Sequence, residues 1–269
     1  MIEFKNIEKG FDGNKILQDV SHVMYTGKCN LIIGTSGSGK TVLQKCLVGL
    51  FEPDKGEIIY DGVSFTDMTD EHRKLLRQQI GMLFQGSALF DSMTVEQNVM
   101  FPLDMFSKAS NAEKRKKVDE VLERVNLDKA HKKFPSEISG GMKKRVGIAR
   151  AIILNPKYLF CDEPNSGLDP LTSMLIDKLI QDITREYNMT TIINTHDMNS
   201  VMEIGENILY MRFGKKEWTG NNHEIIFSNN EHLNEFIFAS EFLHDAKDMR
   251  MLEEKGKISG DRNMDELLK

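Results

Sequence analysis

The run Gly34-Thr35-Ser36-Gly37-Ser38-Gly39-Lys40-Thr41 has the spacing G-x-x-x-x-G-K-[ST], which suits a loop that holds phosphate. Its glycines let the backbone bend until successive N–H groups and the N-terminus of a following helix converge on phosphate oxygens. Lys40 supplies a point charge for β- and γ-phosphates, and the Thr41 hydroxyl a ligand for Mg²⁺. The setting agrees: the apolar run Leu31-Ile32-Ile33 precedes the loop and a helical pattern, Val42–Leu50, follows it. A second apolar run, from Tyr158, ends on Asp162-Glu163. Asp162 is suited to hold the Mg²⁺ of a bound nucleotide, directly or through water. Glu163 is suited to accept a proton from an attacking water. The plainer reading of this pair is a solvated acidic turn before Pro164.

Two further runs end in the same way, Ile80–Phe84 on Gln85 and Thr190–Thr195 on His196. A lone glutamine or histidine is more often structural, but polar residues at four such ends favour one shared site. There Gln85 would sense Mg²⁺ or the lytic water, and His196 would donate to the γ-phosphate. Ile138-Ser139-Gly140-Gly141-Met142, followed by the helical run Lys143–Ile153, makes a second anion site, with Ser139 as N-cap and glycines exposing N–H groups at a helix N-terminus. One nucleotide cannot easily use both sites within one chain. A head-to-tail pair of copies, each closing its Ser139 loop on the nucleotide held by the partner's Lys40 loop, is the economical arrangement.

These residues need an open sheet whose parallel strands deliver them to one edge. The runs Asn30–Ile33, Ile80–Phe84, Tyr158–Cys161 and Thr190–Asn194 are nearly continuous in apolar or β-branched residues, as strands buried on both faces are. Met1–Ile7, Lys15–Tyr25 and Gly56–Tyr60, the last closed by an Asp61-Gly62 turn, read as a small antiparallel layer. Val95–Ala151 is rich in Lys, Glu, Leu and Val at helical spacing, clearest over Ala112–Asn126, and reads as an inserted helical subdomain. A helix is expected over Leu233–Phe242, and the segment from His244 to Lys269 is charged with few apolar residues.

The chain has 269 residues, enough for a core without staples, and its 35 Lys+Arg against 41 Asp+Glu give a net charge of −6. No global positive field is available to hold nucleic acid, and none is expected as a partner. Basic clusters at Lys114–Lys117 and Lys143–Arg145 fall on expected helices, where a solvated face is the simpler reading. Cys29, Cys46 and Cys161 are widely spaced in apolar surroundings, which fits buried thiols in a reducing compartment. The acidic start and the lack of an apolar run long enough for a membrane span fit a cytoplasmic location.

Taken together, the sequence resembles the ATP-binding subunits of ABC transporters over about Met1 to Phe242. The resemblance implies a P-loop NTPase (RecA-like) α/β core with an N-terminal antiparallel β layer and an inserted helical subdomain, about 87–155. The implied division is an ATPase domain over 1–238 and a charged tail over 239–269. In family terms Gly34–Thr41 is the Walker A loop, Gln85 the Q-loop residue, Ser139–Met142 the signature and Asp162 the Walker B aspartate. Glu163 then matches the catalytic glutamate, Ser166-Gly167-Leu168-Asp169 the D-loop and His196 the switch histidine. Phe11 occupies the place of the aromatic that stacks on adenine. Implied cofactors are ATP and Mg²⁺, with Mg²⁺ held by Thr41, Gln85 and Asp162. Ser139, Gly140, Gly141 and Asp169 would act in trans on the partner's ATP. Ile138 for leucine, Met142 for the commoner glutamine and Phe11 for tyrosine depart from the family pattern without removing a phosphate-directed group.

The segment Phe84-Gln85-Gly86-Ser87-Ala88-Leu89-Phe90, with Pro102-Leu103 downstream and the methionine-ending signature, is similar to the ATPases of Mla/Mce-type lipid transporters. That narrower resemblance implies a homodimer at the cytoplasmic face of the inner membrane. It drives a permease that moves phospholipid or another hydrophobic molecule, with an Mce-type component in the complex. Ala88, Leu89, Phe90, Met93 and Phe101 are then candidates to receive the permease, with subdomain core as the alternative for Leu89 and Phe101. Residues 221–269 correspond to an extension that touches the sister ATPase. The competing class, a soluble ABC protein acting on DNA or ribosomes, needs a long coiled coil or two cassettes in one chain, and neither is visible. A small-molecule kinase would leave Ser139–Met142 and the Asp162-Glu163 pair without a purpose.

Overall fold

The computed structural model describes residues 1–238 and Lys247. The chain forms two compact units, Met1–Asn222 and one beginning at His223. In the first, β1 (Ile2–Phe11), β2 (Asn14–Met24), β4 (Lys55–Tyr60) and the short β5 (Val63–Ser64) form an antiparallel sheet in the order β2-β1-β4-β5. A second sheet has the order β10-β9-β3-β8-β7-β6. Its strands are β3 (Cys29–Ile33), β6 (Ile80–Leu83), β7 (Tyr158–Asp162), β8 (Thr190–Thr195), β9 (Asn207–Arg212) and β10 (Lys215–Gly220). All its neighbouring pairs are parallel except the β9–β10 hairpin. Every residue of β3 and β8 is buried, which explains why these runs carry no polar alternation.

Helix α1 (Lys40–Leu47) follows the phosphate-type loop and joins the main core. There Ile2, Phe4, Leu17 and Val20 of the antiparallel layer meet Ile32, Phe160, Ile192 and Leu209 of the parallel sheet, with Leu43 and Leu47 between them. Helix α2 (Asp70–Arg77) precedes β6, and the expected helical insertion is present as α3 (Val95–Phe106), α4 (Asn111–Arg124) and α5 (Gly140–Ile152). Thr94 and Ser110 open α3 and α4 with reciprocal capping boxes, which satisfy N–H groups that a helix start otherwise leaves unpaired. Helices α6 (Pro170–Glu186) and α7 (Met198–Ile204) complete the unit.

In the second unit, α8 (Glu231–Ile237) begins two residues before the expected helix because Asn230 caps it, accepting from Leu233 N at 2.8 Å. Leu233 and Ile237 are its buried residues. The end of the expected helix at 239–242 and the charged tail, apart from Lys247, lie outside the described residues.

A candidate nucleotide-binding and hydrolysis site

In the parallel sheet β3, β8, β7 and β6 are consecutive neighbours, with Ile33 beside Thr195, Asp162 beside Asn194 and Leu83 beside Cys161. Their C-terminal ends therefore deliver the Gly34–Thr41 loop, His196, Asp162-Glu163 and Gln85 side by side, at the edge where open α/β sheets bind ligands. The loop's geometry requires glycine at its first position. Gly34 has φ +150°, and a Cβ there would lie 2.2 Å from the Met211 carbonyl oxygen. The loop then turns into α1 at Gly39, the N-cap, with φ 101°. Lys40 is buried and folds back along the loop, its Nζ donating to Gly34 O at 2.7 Å and Thr35 O at 3.1 Å. Burial lowers the Lys40 pKa from its ordinary value, and the charges of Glu163 and Asp162 oppose that shift. Ser38 Oγ is buried with no hydrogen-bond partner. An orphaned buried hydroxyl in a glycine-rich loop at a helix N-terminus fits a loop built to receive an anion.

Asp162 Oδ1 accepts from Asn194 Nδ2 at 3.2 Å, and the same amide donates to Gln44 Oε1 of α1. Asn194 thus locks the carboxylate to β8 and to the helix that carries Lys40. The next residue, Glu163, sits in the left-handed region at φ 48°, its N–H donating to Asn194 O at 2.9 Å. This conformation is rare for a residue with a side chain, and it is found where the surroundings over-determine the backbone. Glu163 Oε2 lies 2.8 Å from His196 Nδ1, with the glutamate side chain 16% and the histidine 66% exposed. Gln85 Nε2 donates to Ser166 Oγ at 3.3 Å. Thr41 is exposed at the start of α1. The oxygens of Thr41, Gln85 and Asp162 are the hard, mostly uncharged donor set that Mg²⁺ takes when phosphate supplies other ligands.

The remaining residues fall elsewhere. Ser139 caps α5, accepting from Met142 N at 3.3 Å, and Ser139 and Gly140 are exposed. They make no hydrogen bond to the Gly34–Thr41 loop among the described residues. Gly141 packs against α6, since a Cβ there would be 2.6 Å from Thr172 Cγ2. Asp169 caps α6, accepting from Thr172 N at 2.9 Å, and is exposed. Phe11 ends β1 40% exposed, edge-on to Phe51 at 5.2 Å between centroids and with Lys9 Nζ 5.3 Å from its ring.

The basic clusters are solvated faces in part: Arg115 and Lys116 are exposed and Lys117, Lys143 and Arg145 half-buried, but one lysine of each cluster turns inward. Lys114 is buried and pairs with Asp104 at 2.9 Å, and Lys144 is also buried. Helical spacing held the signal: Lys114 continues the stripe Val118, Val121, Leu122, and Lys144 the stripe Ile148, Ala151, Ile152. Asn194 and Gln44 were likewise hidden, because their roles depend on strand pairing. The three cysteines are free and buried, and burial raises the thiol pKa values, to about 12 at Cys29 and about 11 at Cys46.

Beyond Gln85, Ser87 and Ala88 turn through positive φ, and Arg150 holds their carbonyls at 2.7 and 2.8 Å. The turn borders a groove of about 470 Å³ lined by Met82, Phe84, Ala88, Phe90, Phe101 and Phe106 among others. Leu89 and Met93 do not line it.

The profile of the family described as "ABC transporter" matches residues 17–166. A "Probable ribonucleotide transport ATP-binding protein mkl" from Mycobacterium leprae is 40% identical over 207 residues, covering 77% of this chain and 60% of that protein. This chain therefore spans about three fifths of the mycobacterial relative it matches. "Methionine import ATP-binding protein MetN 1" of Oceanobacillus iheyensis is 36% identical over 257 residues, covering 94% of this chain and 74% of that protein. Among solved structures, a dimeric ATP-binding cassette in a post-hydrolysis state bound to ADP and Pi matches with a TM-score of 0.75 at 30% identity, covering 82% of this chain and 99% of that one. The structure of cbiO1 from Clostridium perfringens, part of the ABC transporter complex cbiONQ, matches with a TM-score of 0.80 at 29% identity, covering 91% and 98%.

Proposed function

This chain belongs to the ABC transporter family, and from that premise we propose that it is an ATP-hydrolysing nucleotide-binding subunit, working as a head-to-tail homodimer. The observation that carries the reading is the convergence of Lys40, Asp162, Glu163, His196 and Gln85 at four adjacent strand ends, with Glu163 held in a left-handed backbone beside His196. The Gly34–Thr41 loop and Lys40 hold the β- and γ-phosphates, and Phe11 offers a ring face to the base. Mg²⁺, held by Thr41, Asp162 and Gln85, neutralises charge on the phosphate oxygens when bound. Glu163 accepts the proton of the water whose oxygen bonds to the γ-phosphorus as the bond to the bridging oxygen breaks. His196 donates to a γ-phosphate oxygen, and Ser139, Gly140, Gly141 and Asp169 of the second copy close the site.

The apolar groove beside Gln85 suits a helix from a membrane permease, with Ala88, Phe90 and Phe101 as contacts. No helix among the described residues is long and apolar enough to cross a membrane, which fits a subunit held at the cytoplasmic face by that partner. The proposed cargo is phospholipid or another hydrophobic molecule, with an Mce-type component in the complex. That reading rests on the Phe84–Phe90 segment and the methionine-ending signature. The relatives' names, ribonucleotide transport and methionine import, offer the competing cargoes.

The test is Glu163→Gln in the full chain, assayed for ATP binding and steady-state hydrolysis. The variant should bind ATP as the parent does and lose hydrolysis by about 10²-fold or more. Turnover at the parent rate would overturn the assignment.

A further inference from the structure

Lys144 is 5% exposed, yet its ammonium forms no salt bridge among the described residues. Its Nζ donates instead to two main-chain carbonyls, those of Gln85 and of Glu163, the latter at 3.3 Å. Burying a cation without a carboxylate is unfavourable, and an apolar side chain of similar length would fill the same slot at less cost. Burial lowers the Lys144 pKa from its ordinary value, while the neighbouring Cys161, Glu163 and Asp162 favour the charged form. The need that keeps a lysine here must lie in what its donors hold.

Both carbonyls belong to residues whose side chains face the reacting phosphate in the proposed mechanism. Glu163 is the more demanding, because its φ of 48° must be imposed from outside. Its N–H donates to Asn194 O of β8, and its C=O accepts both from Ser166 N at 3.2 Å in the turn that follows and from Lys144 of α5, so β8 and α5 both hold one strained residue. The N-terminus of the same helix carries Ser139, Gly140 and Gly141, five to three residues before Lys144 and so about one turn away. Gly141 packs against Thr172 of α6, where an added Cβ would lie 2.6 Å from Thr172 Cγ2, so this turn is in contact with α6.

We propose that Lys144 is a positioning residue that links the α5 anion site, facing the partner's nucleotide, to the backbone of Gln85 and Glu163 at the chain's own nucleotide. Closure of one composite site is thereby transmitted to the hydrolytic geometry of the other. The inference rests on the ATPase reading above and adds to it a route for coupling between the two sites.

The test compares wild type, Lys144→Met and Lys144→Gln in the full chain. The readouts are kcat, KM and the Hill coefficient for Mg-ATP, with melting temperature and equilibrium ATP binding measured alongside. Methionine keeps the apolar stem and removes the donors; glutamine keeps an N–H donor without the charge. K144M should melt no lower than wild type, bind ATP within about twofold, lose about 10²-fold in kcat and show a Hill coefficient falling towards one, because small misplacements of reacting groups are costly. K144Q should retain more activity than K144M, within about tenfold of wild type, because donation to the carbonyls survives. A K144M enzyme with wild-type kcat and Hill coefficient overturns the proposal. So does a K144M loss matched by equal losses in melting temperature and ATP binding, which would make the role structural, and so does K144Q falling below K144M. Absence of hydrolysis by wild type would instead overturn the ATPase reading itself.

Discussion

Glu163 combines a proposed chemical role with a backbone that its own side chain disfavours. At φ 48° a residue with a Cβ costs on the order of 1 kcal/mol relative to glycine. Glu163→Gln and Glu163→Gly both remove the carboxylate, but only the glycine variant relieves the backbone. Urea denaturation should find E163G about 1 kcal/mol more stable than E163Q. Equal stabilities, or a less stable E163G, would show that the left-handed peptide stores no strain. The residue type and its place after an apolar run were legible in the sequence; the strain and its two clamps were not. Asn194 reads as one more residue of a buried strand, and Lys144 as one of three consecutive cations. Each acquires its role only when β7, β8 and α5 come together.

At the scale of elements, the strands and helices that announce themselves by continuous apolar runs or by caps were readable, and those with mixed signals were not. Helix α6 has a clear start, Asp169 with Pro170 at its first position, but its buried stripe contains Ser173, Asp177 and Thr184 among the aliphatics. The β9–β10 hairpin turns at Phe213-Gly214, both at positive φ, and a phenylalanine there conceals a turn normally signalled by Asn or Gly. The polar stripe of α6 has a pH consequence. Asp177 Oδ2 accepts from Ser200 Oγ of α7 at 2.7 Å, while Oδ1 is buried without a partner. Burial pushes the Asp177 pKa up from 3.8 to about 6. The folded state therefore keeps a proton that the unfolded state releases, and this contribution to stability falls as pH rises from about 4 to 6. His22 of β2 works in the opposite direction: burial first, then Lys216, lowers its pKa from 6.5 to about 4. The unfolded state binds that proton first, so stability from His22 rises over nearly the same window. The two slopes offset each other in the wild type. Asp177→Asn should unmask the rise, and its stability relative to wild type should grow by on the order of 2 kcal/mol between pH 4 and 6. Parallel pH profiles in urea denaturation would contradict the assignment.

At the scale of the whole molecule, one chain holds the two halves of the proposed site without joining them. The Lys40 loop, Asp162, Glu163 and His196 gather at one sheet edge, while Ser139 and Asp169 remain exposed at the starts of α5 and α6. The sequence hinted at this division by offering two anion sites for one nucleotide, and Ser139 and Asp169 cap helices outside the parallel sheet that gathers the other residues. In the proposed mechanism two copies complete each site around ATP. Light scattering on E163Q measures it most directly, with and without Mg-ATP. Mg-ATP should double the mass from 30.7 kDa. The added mass should be lost when Ser139→Arg is introduced as well. A mass that stays at one chain with ATP bound, or a doubling indifferent to Ser139→Arg, would contradict it.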